Sequence, residues 1–120
     1  MFRFLAIPFL MFAPISALAE VQMMMAERPG CQWCLAWDQE IGPIYPVTNE
    51  GKAAPLRKVD VTDGMPEDIT LARPVVFTPT FVLLVDGAEV NRLEGYPGDD
   101  FFWGLIANML RDGGVQIAHD

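Results

Sequence analysis

Glu27-Arg28-Pro29-Gly30-Cys31-Gln32-Trp33-Cys34 is the stretch on which the fold turns. It holds both cysteines of the chain, with two residues between them. Before it, Val21 to Ala26 is an apolar run long enough for one strand, and Glu27-Arg28-Pro29-Gly30 is a turn signal. After it, Cys34, Leu35, Trp37, Asp38 and Ile41 fall at helical spacings until Gly42-Pro43 ends the run. The cysteines therefore sit at a strand–turn–helix junction.

Working outward, Ile44 to Pro55 carries Pro46 and Gly51 and reads as a connector holding a broken helical turn. Leu56 to Val61 alternates as a strand does. Thr62-Asp63-Gly64 is a turn, and Pro66 to Ala72 is expected to form a short helix with proline in its first turn. Phe81 to Val85 is continuously apolar and suits a central strand buried on both faces. Asp86-Gly87 is a hairpin signal, Glu89 to Leu93 is the returning strand, and Gly95-Tyr96-Pro97-Gly98 breaks it. Asp99 or Asp100 is expected to cap a last helix. Its apolar stripe runs through Phe101, Phe102, Leu105, Ile106, Met109 and Leu110. Gly113-Gly114 stops that helix, leaving Val115–Asp120 as a flexible tail. The order is β-α-β-(α)-β-β-α, an α/β arrangement with a four-stranded sheet.

The chain has 120 residues, 52% hydrophobic, a net charge of −8 and a mean hydropathy of +0.25. The N-terminus accounts for much of that hydrophobicity. Met1-Phe2-Arg3 is a short basic head, Phe4 to Ile15 is almost wholly apolar, and Ala17-Leu18-Ala19 is a small-x-small cleavage signature. Residues 1–19 are expected to be a secretory signal peptide, too short in their apolar run to span a bilayer comfortably. Removing 19 of 120 residues leaves 101; only Arg3 is lost among the charges, so −8 becomes −9. Residues 20–114 then form one domain, large enough to bury its own core. The acidic balance excludes a nucleic-acid or anionic-membrane binder, which needs clustered Lys and Arg. Two cysteines and one histidine cannot supply four Cys/His ligands to a zinc ion, and no metal or other cofactor is expected. Export favours a compartment in which disulfides persist, the periplasm.

Four uses of the Cys31/Cys34 pair compete. A structural staple closing so short a loop removes little entropy from the unfolded chain. Covalent haem attachment needs histidine directly after the second cysteine, where Leu35 stands. A thiolate site for a soft ion such as Cu(I), as in a metal chaperone, remains open. So does a redox-active dithiol, and position favours it. Cys31 would sit at a helix N-terminus, where unpaired N–H groups and the helix dipole favour a thiolate. Cys34, three residues on, shares its face and is poised to resolve a mixed disulfide.

These residues resemble the thioredoxin family. The Cys31-Gln32-Trp33-Cys34 motif follows the first strand, Thr78-Pro79-Thr80-Phe81 precedes the hairpin, and Glu94-Gly95-Tyr96 matches the glycine turn before the last helix. The lead-in Glu27–Cys31 and the run Tyr96–Leu105 are similar to exported bacterial thioredoxins of the SoxS type, associated with sulfur oxidation. The resemblance spans Val21 to Arg111. It implies a three-layer thioredoxin-like fold, a mixed four-stranded sheet flanked by helices, and thiol–disulfide oxidoreductase activity. Cys31 is implied as nucleophile, Cys34 as resolving thiol and Pro79 as a cis-proline. The Thr78 backbone would pair with a substrate segment, and Gly95 would allow its close approach. Implied partners are protein disulfides of the periplasm, sulfur-oxidation carrier proteins, and a membrane electron donor that re-reduces the dithiol. Oxidase or isomerase action is the alternative direction, and a monomer is the expected state.

Two departures stand out. Typical thioredoxins read Trp-Cys-Gly-Pro-Cys, whereas Gln32-Trp33 lies between these cysteines, so the family's redox potential does not transfer. Thioredoxins also keep a buried aspartate six positions before the first cysteine, where this chain has Met25. The proton acceptor for Cys34 is then Glu27, water, or a carboxylate brought in by folding. Trp33 is expected as an exposed lip that touches partners, Trp37 and Trp103 as packing residues, and His119 as tail.

Overall fold

The computed structural model describes residues 3–12 and 18–119. Four strands form one mixed sheet: β1 (Val21–Glu27), β2 (Leu56–Asp60), β3 (Thr80–Val85) and β4 (Ala88–Glu94), in the order β2-β1-β3-β4. β1 pairs in parallel with β2 and antiparallel with β3, and β3 pairs antiparallel with β4. Successive side chains of a strand point to opposite faces. In β1 that alternation sends Met23 and Met25 to one side and Met24 and Ala26 to the other, all fully buried. β3 splits likewise, with Phe81 and Leu83 against Val82 and Leu84. Both central strands are thus continuously apolar, because both their faces are covered.

One face is covered by helices. α1 (Gln32–Glu40) contributes Trp37, and α3 (Asp99–Asp112) contributes Phe102, Ile106, Met109 and Leu110. Phe102 is the hub, with ring centroids 5.2 Å from Phe81 and 6.0 Å from Trp37 and from Tyr96. The connector after α1 is more ordered than its prolines suggest. It holds a 3-10 turn, Tyr45–Val47, and a short helix α2 (Asn49–Ala53) capped by the Thr48 hydroxyl, which accepts from Gly51 N–H at 3.0 Å.

The other face carries Met24, Ala26, Val59, Ile69, Val82 and Leu84, joined by Val61, Met65, Leu71 and Val75. Here the expected helix over Pro66–Ala72 does not form. A 3-10 turn spans Val61–Asp63, and the chain beyond it runs irregularly, touching β4 through a parallel bridge of Thr70 to Ala88. Thr70 N–H donates to Gly87 O at 2.8 Å, and Glu89 N–H donates to Thr70 O at 2.9 Å. Ala72 N–H donates to a Glu89 carboxylate oxygen at 2.9 Å. Backbone groups that a helix would pair internally are taken by the hairpin turn and β4 instead.

Asp86 (φ 52) and Gly87 (φ 80) both lie at positive φ, the primed turn whose twist matches an antiparallel hairpin. Neither Asp99 nor Asp100 caps α3. The cap position is Gly98 at φ 95, and both aspartates lie in the first turn, where the positive end of the helix dipole favours them. Val115 and Ile117, placed by sequence in a flexible tail, lie half-buried against the helical core.

In the expected signal segment, the described residues form no regular element, and Phe4, Leu5, Ile7 and Phe9 are exposed. Residues 1–2 and 13–17, and with them part of the cleavage signature, lie outside the described residues, as does Asp120. Among the described residues no helix is long and apolar enough to cross a membrane.

Candidate active site

β1 ends at Glu27 and the chain turns through Gly30 at φ 77 into α1. Cys31 occupies the cap position of that helix in extended conformation, and its Sγ accepts the Cys34 N–H at 3.1 Å. The sulfur therefore receives an N–H that the first helical turn cannot pair internally. Cys34 lies one turn on, 4% exposed, packed with the helical core, while Cys31 is only partly buried. The two are joined as a disulfide, with Cα atoms 5.2 Å apart. One sulfur faces solvent and the other is shielded, which makes Cys31 the sulfur an incoming partner can reach.

The β1–β3 register brings the second half of the site here. Ala26 pairs with Thr80, so the residues just before Thr80 come alongside the turn that carries Cys31. The Thr78–Pro79 peptide bond is cis. Pro79 O accepts Gly95 N–H at 2.8 Å, and Phe77 O accepts the Thr80 hydroxyl at 2.6 Å. Trp33, Phe77, Thr78, Glu94 and Gly95 line a cleft of about 410 Å³ beside the dithiol. Trp33 is 65% exposed and Phe77 58%, so two aromatic faces are offered to a partner. Four residues singled out from the sequence — Trp33, Thr78, Pro79 and Gly95 — are thus gathered at one edge. Phe77 was missed; its position directly before Thr78 was the available signal.

A second cleft, about 430 Å³, lies on the other side of the dithiol and is lined by Glu27, Arg28, Cys31, Cys34 and Asp38 among others. Lys58, from β2, donates to Asp38 at 2.6 Å and lies 3.6 Å from Glu27. Burial works against the Lys58 ammonium, but its hydrogen bond to Asp38 and the charge of Glu27 hold its pKa above the ordinary value. Met25, six positions before Cys31, is fully buried and carries no acid there.

The loop bearing Phe77 and Pro79 is strapped to β4. Arg92 is 5% exposed and Glu89 4%, and they pair at 2.6 Å. The Arg92 guanidinium also donates to Arg73 O at 2.7 Å and Pro74 O at 3.3 Å. Tyr96, at the end of the glycine turn, hydrogen-bonds the Glu40 carboxylate; burial first, and that carboxylate second, raise its pKa well above the ordinary value. Trp37 and Trp103 pack in and against the core, and His119 is exposed far from any of these groups in sequence.

Among solved structures, the periplasmic thioredoxin SoxS from Paracoccus pantotrophus, in its reduced form, is 50% identical to this chain. The match covers 78% of this chain and 98% of that one, with a TM-score of 0.75. The chain belongs to the thioredoxin family. Two further thioredoxins share the fold at lower identity. That of Fasciola hepatica is 19% identical with a TM-score of 0.50, covering 75% of this chain and 81% of its own. Thioredoxin-2 of a malaria parasite is 18% identical with a TM-score of 0.51, covering 79% and 88%. No protein-family model and no curated protein matches the chain in sequence. As a thioredoxin with its two cysteines joined in a CxxC disulfide, it is a thiol–disulfide oxidoreductase.

Proposed function

We propose that this thioredoxin works in the periplasm as a reductant of protein disulfides, sulfur-carrier disulfides among them, after export by a signal peptide at residues 1–19. The reading rests on one observation above all: Cys31 caps α1 at the surface with an N–H aimed at its sulfur, and Cys34 waits buried one turn on. The 50% identity to a periplasmic thioredoxin supports the compartment.

The Cys31 thiolate attacks one sulfur of the substrate disulfide, forming a mixed disulfide and releasing the other sulfur as a thiolate. Cys34 loses its proton and attacks Cys31 Sγ. The Cys31–Cys34 bond forms, the bond from Cys31 to the substrate breaks, and the second substrate sulfur departs as a thiolate. Two electrons have passed from the dithiol to the substrate. A dithiol donor outside the chain then reverses these steps at Cys31–Cys34. The Thr78 backbone and the Trp33–Phe77 cleft hold the segment around the substrate cysteine as an added strand.

Insulin-disulfide reduction tests the reading. Cys31→Ser abolishes it, and Cys34→Ser keeps the first attack and accumulates mixed disulfides in periplasmic extract. Retained reduction in Cys31→Ser overturns the assignment. A reduction potential near that of a strong oxidant, about −120 mV, instead of near about −270 mV, reverses the direction.

A further inference from the structure

Glu89 and Arg92 hold charge almost wholly out of water, and the exchange chemistry at Cys31 and Cys34 uses neither. Compared with apolar side chains of the same volume, a buried ion pair adds little net stability, so its consequence lies in the geometry it fixes. Here that geometry is specific. Two guanidinium nitrogens of Arg92 grip the Glu89 carboxylate, each at 2.6 Å. The terminal nitrogens reach on to Arg73 O at 2.7 Å and Pro74 O at 3.3 Å, while Glu89 Oε1 accepts the Ala72 N–H at 2.9 Å. Ala72, Arg73 and Pro74 are thereby tied in succession to β4 by one pair of side chains. The Arg73 side chain in turn donates to Glu94 at 2.7 Å, and Glu94 lines the cleft with Trp33, Phe77 and Thr78.

At its other end the loop is fixed by Pro79 O, which accepts the Gly95 N–H. Only four residues, Val75 to Thr78, lie between these anchors, and Phe77 and Thr78 are two of them. Without the Arg92 donors the near anchor recedes to Ala72, and the span grows to six residues, Arg73 to Thr78. We propose that Arg92 and Glu89 are positioning residues for the substrate. They keep residues 72–78 in the conformation that presents Phe77 and the Thr78 backbone to an extended polypeptide segment around the substrate cysteine. The segment then binds without first ordering the loop. A small disulfide with no polypeptide on either side makes no use of the loop and needs only Cys31. This rests on the oxidoreductase reading and adds what holds its docking edge in shape.

The test offers the reduced full chain two substrates, an oxidised peptide with its cysteines in an extended segment and hydroxyethyl disulfide. Single-turnover rates, read as protein thiols by alkylation and mass, give a half-saturating peptide concentration and a limiting rate. Arg92→Lys keeps a cation beside Glu89, but one ammonium cannot grip the carboxylate and also reach both carbonyls. Arg92→Met/Glu89→Gln leaves no stranded charge to unfold the chain and still no donor for Arg73 O and Pro74 O. Both variants are expected to raise the half-saturating peptide concentration about fivefold or more, the cost of re-ordering roughly one backbone residue on binding. The limiting rate and the rate on hydroxyethyl disulfide stay within about twofold of the parent, with urea unfolding confirming that the variants are folded. Equal losses on both substrates, or a half-saturating concentration within about twofold of the parent, overturn the proposal. A parent chain that reduces neither substrate overturns the oxidoreductase reading and the proposal together. Normal parent rates with unshifted variants overturn the proposal alone.

Discussion

Arg92→Met removes the strap between β4 and the loop that carries Phe77, Thr78 and Pro79. The Arg92–Glu89 pair is almost wholly buried, at 5% and 4% exposure, and its N–O distance is 2.6 Å. Truncation leaves the Glu89 carboxylate out of water with only the Ala72 N–H, 2.9 Å away, still donating to it. The carbonyls of Arg73 and Pro74 lose their donor as well. Breaking a buried ion pair from one side costs about 3–5 kcal/mol, against a total of about 5–15 kcal/mol for a domain. With a urea slope near 2 kcal/mol/M, the unfolding midpoint falls by roughly 2 M. The double variant Arg92→Met/Glu89→Gln removes the stranded charge and is expected to recover a large part of the loss. Equilibrium urea unfolding, read by tryptophan fluorescence, checks both, with insulin reduction measured below the transition. A loss under about 1 kcal/mol for the single variant, or a double variant no better than the single, refutes the reasoning.

Acid reports on the same pair: burial opposes the Glu89 charge, but the Arg92 hydrogen bond and then the Ala72 N–H hold its pKa below the ordinary 4.5. A depressed folded value means that this stability is present above about 4.5 and is lost as pH falls through the folded value, so parent and Arg92→Met midpoints converge in acid titrations of unfolding. Phe102→Ala empties the hub between Trp37, Phe81 and Tyr96 and costs about 3–5 kcal/mol, with loss of near-ultraviolet circular dichroism as a second readout. Gly51→Ala places a Cβ 1.8 Å from Tyr45 O and forces the α2 connector apart, lowering the melting temperature. Gly104→Ala, in the middle of α3 with nothing within 4 Å, stabilises by up to about 1 kcal/mol in the same melt.

Local chemistry made much of the chain legible. The CxxC at a strand–turn–helix junction, the Asp86-Gly87 hairpin and the apolar runs of β1 and β3 each follow from neighbours along the sequence. The stripe of α3 was legible in part: Phe102, Ile106, Met109 and Leu110 are buried, whereas Phe101 and Leu105, counted with them from the sequence, are exposed. The segment Pro66–Ala72 misled because its helical reading took only its own residues into account. The Thr70 and Ala72 N–H groups are satisfied by Gly87 in the hairpin turn and by Glu89 of β4, about seventeen residues away. Gly98 caps α3 in place of an aspartate because the chain leaves the β4 turn at positive φ, a conformation in which glycine carries no Cβ penalty.

The sequence by itself determined the chemistry of the site: two cysteines, their spacing, and the helix end at which the first stands. These depend on contacts within one turn of chain. Only the tertiary structure decided what surrounds them. Asp38 and Lys58 are twenty residues apart, as are Arg73 and Glu94 within one, and no periodicity announces that they meet. Phe77 comes to Trp33, and Lys58 to Glu27 and Asp38, because the β2-β1-β3 pairing fixes which strand ends lie side by side. Such pairing depends on long-range hydrogen bonding and burial, which a residue's own neighbours along the chain do not encode.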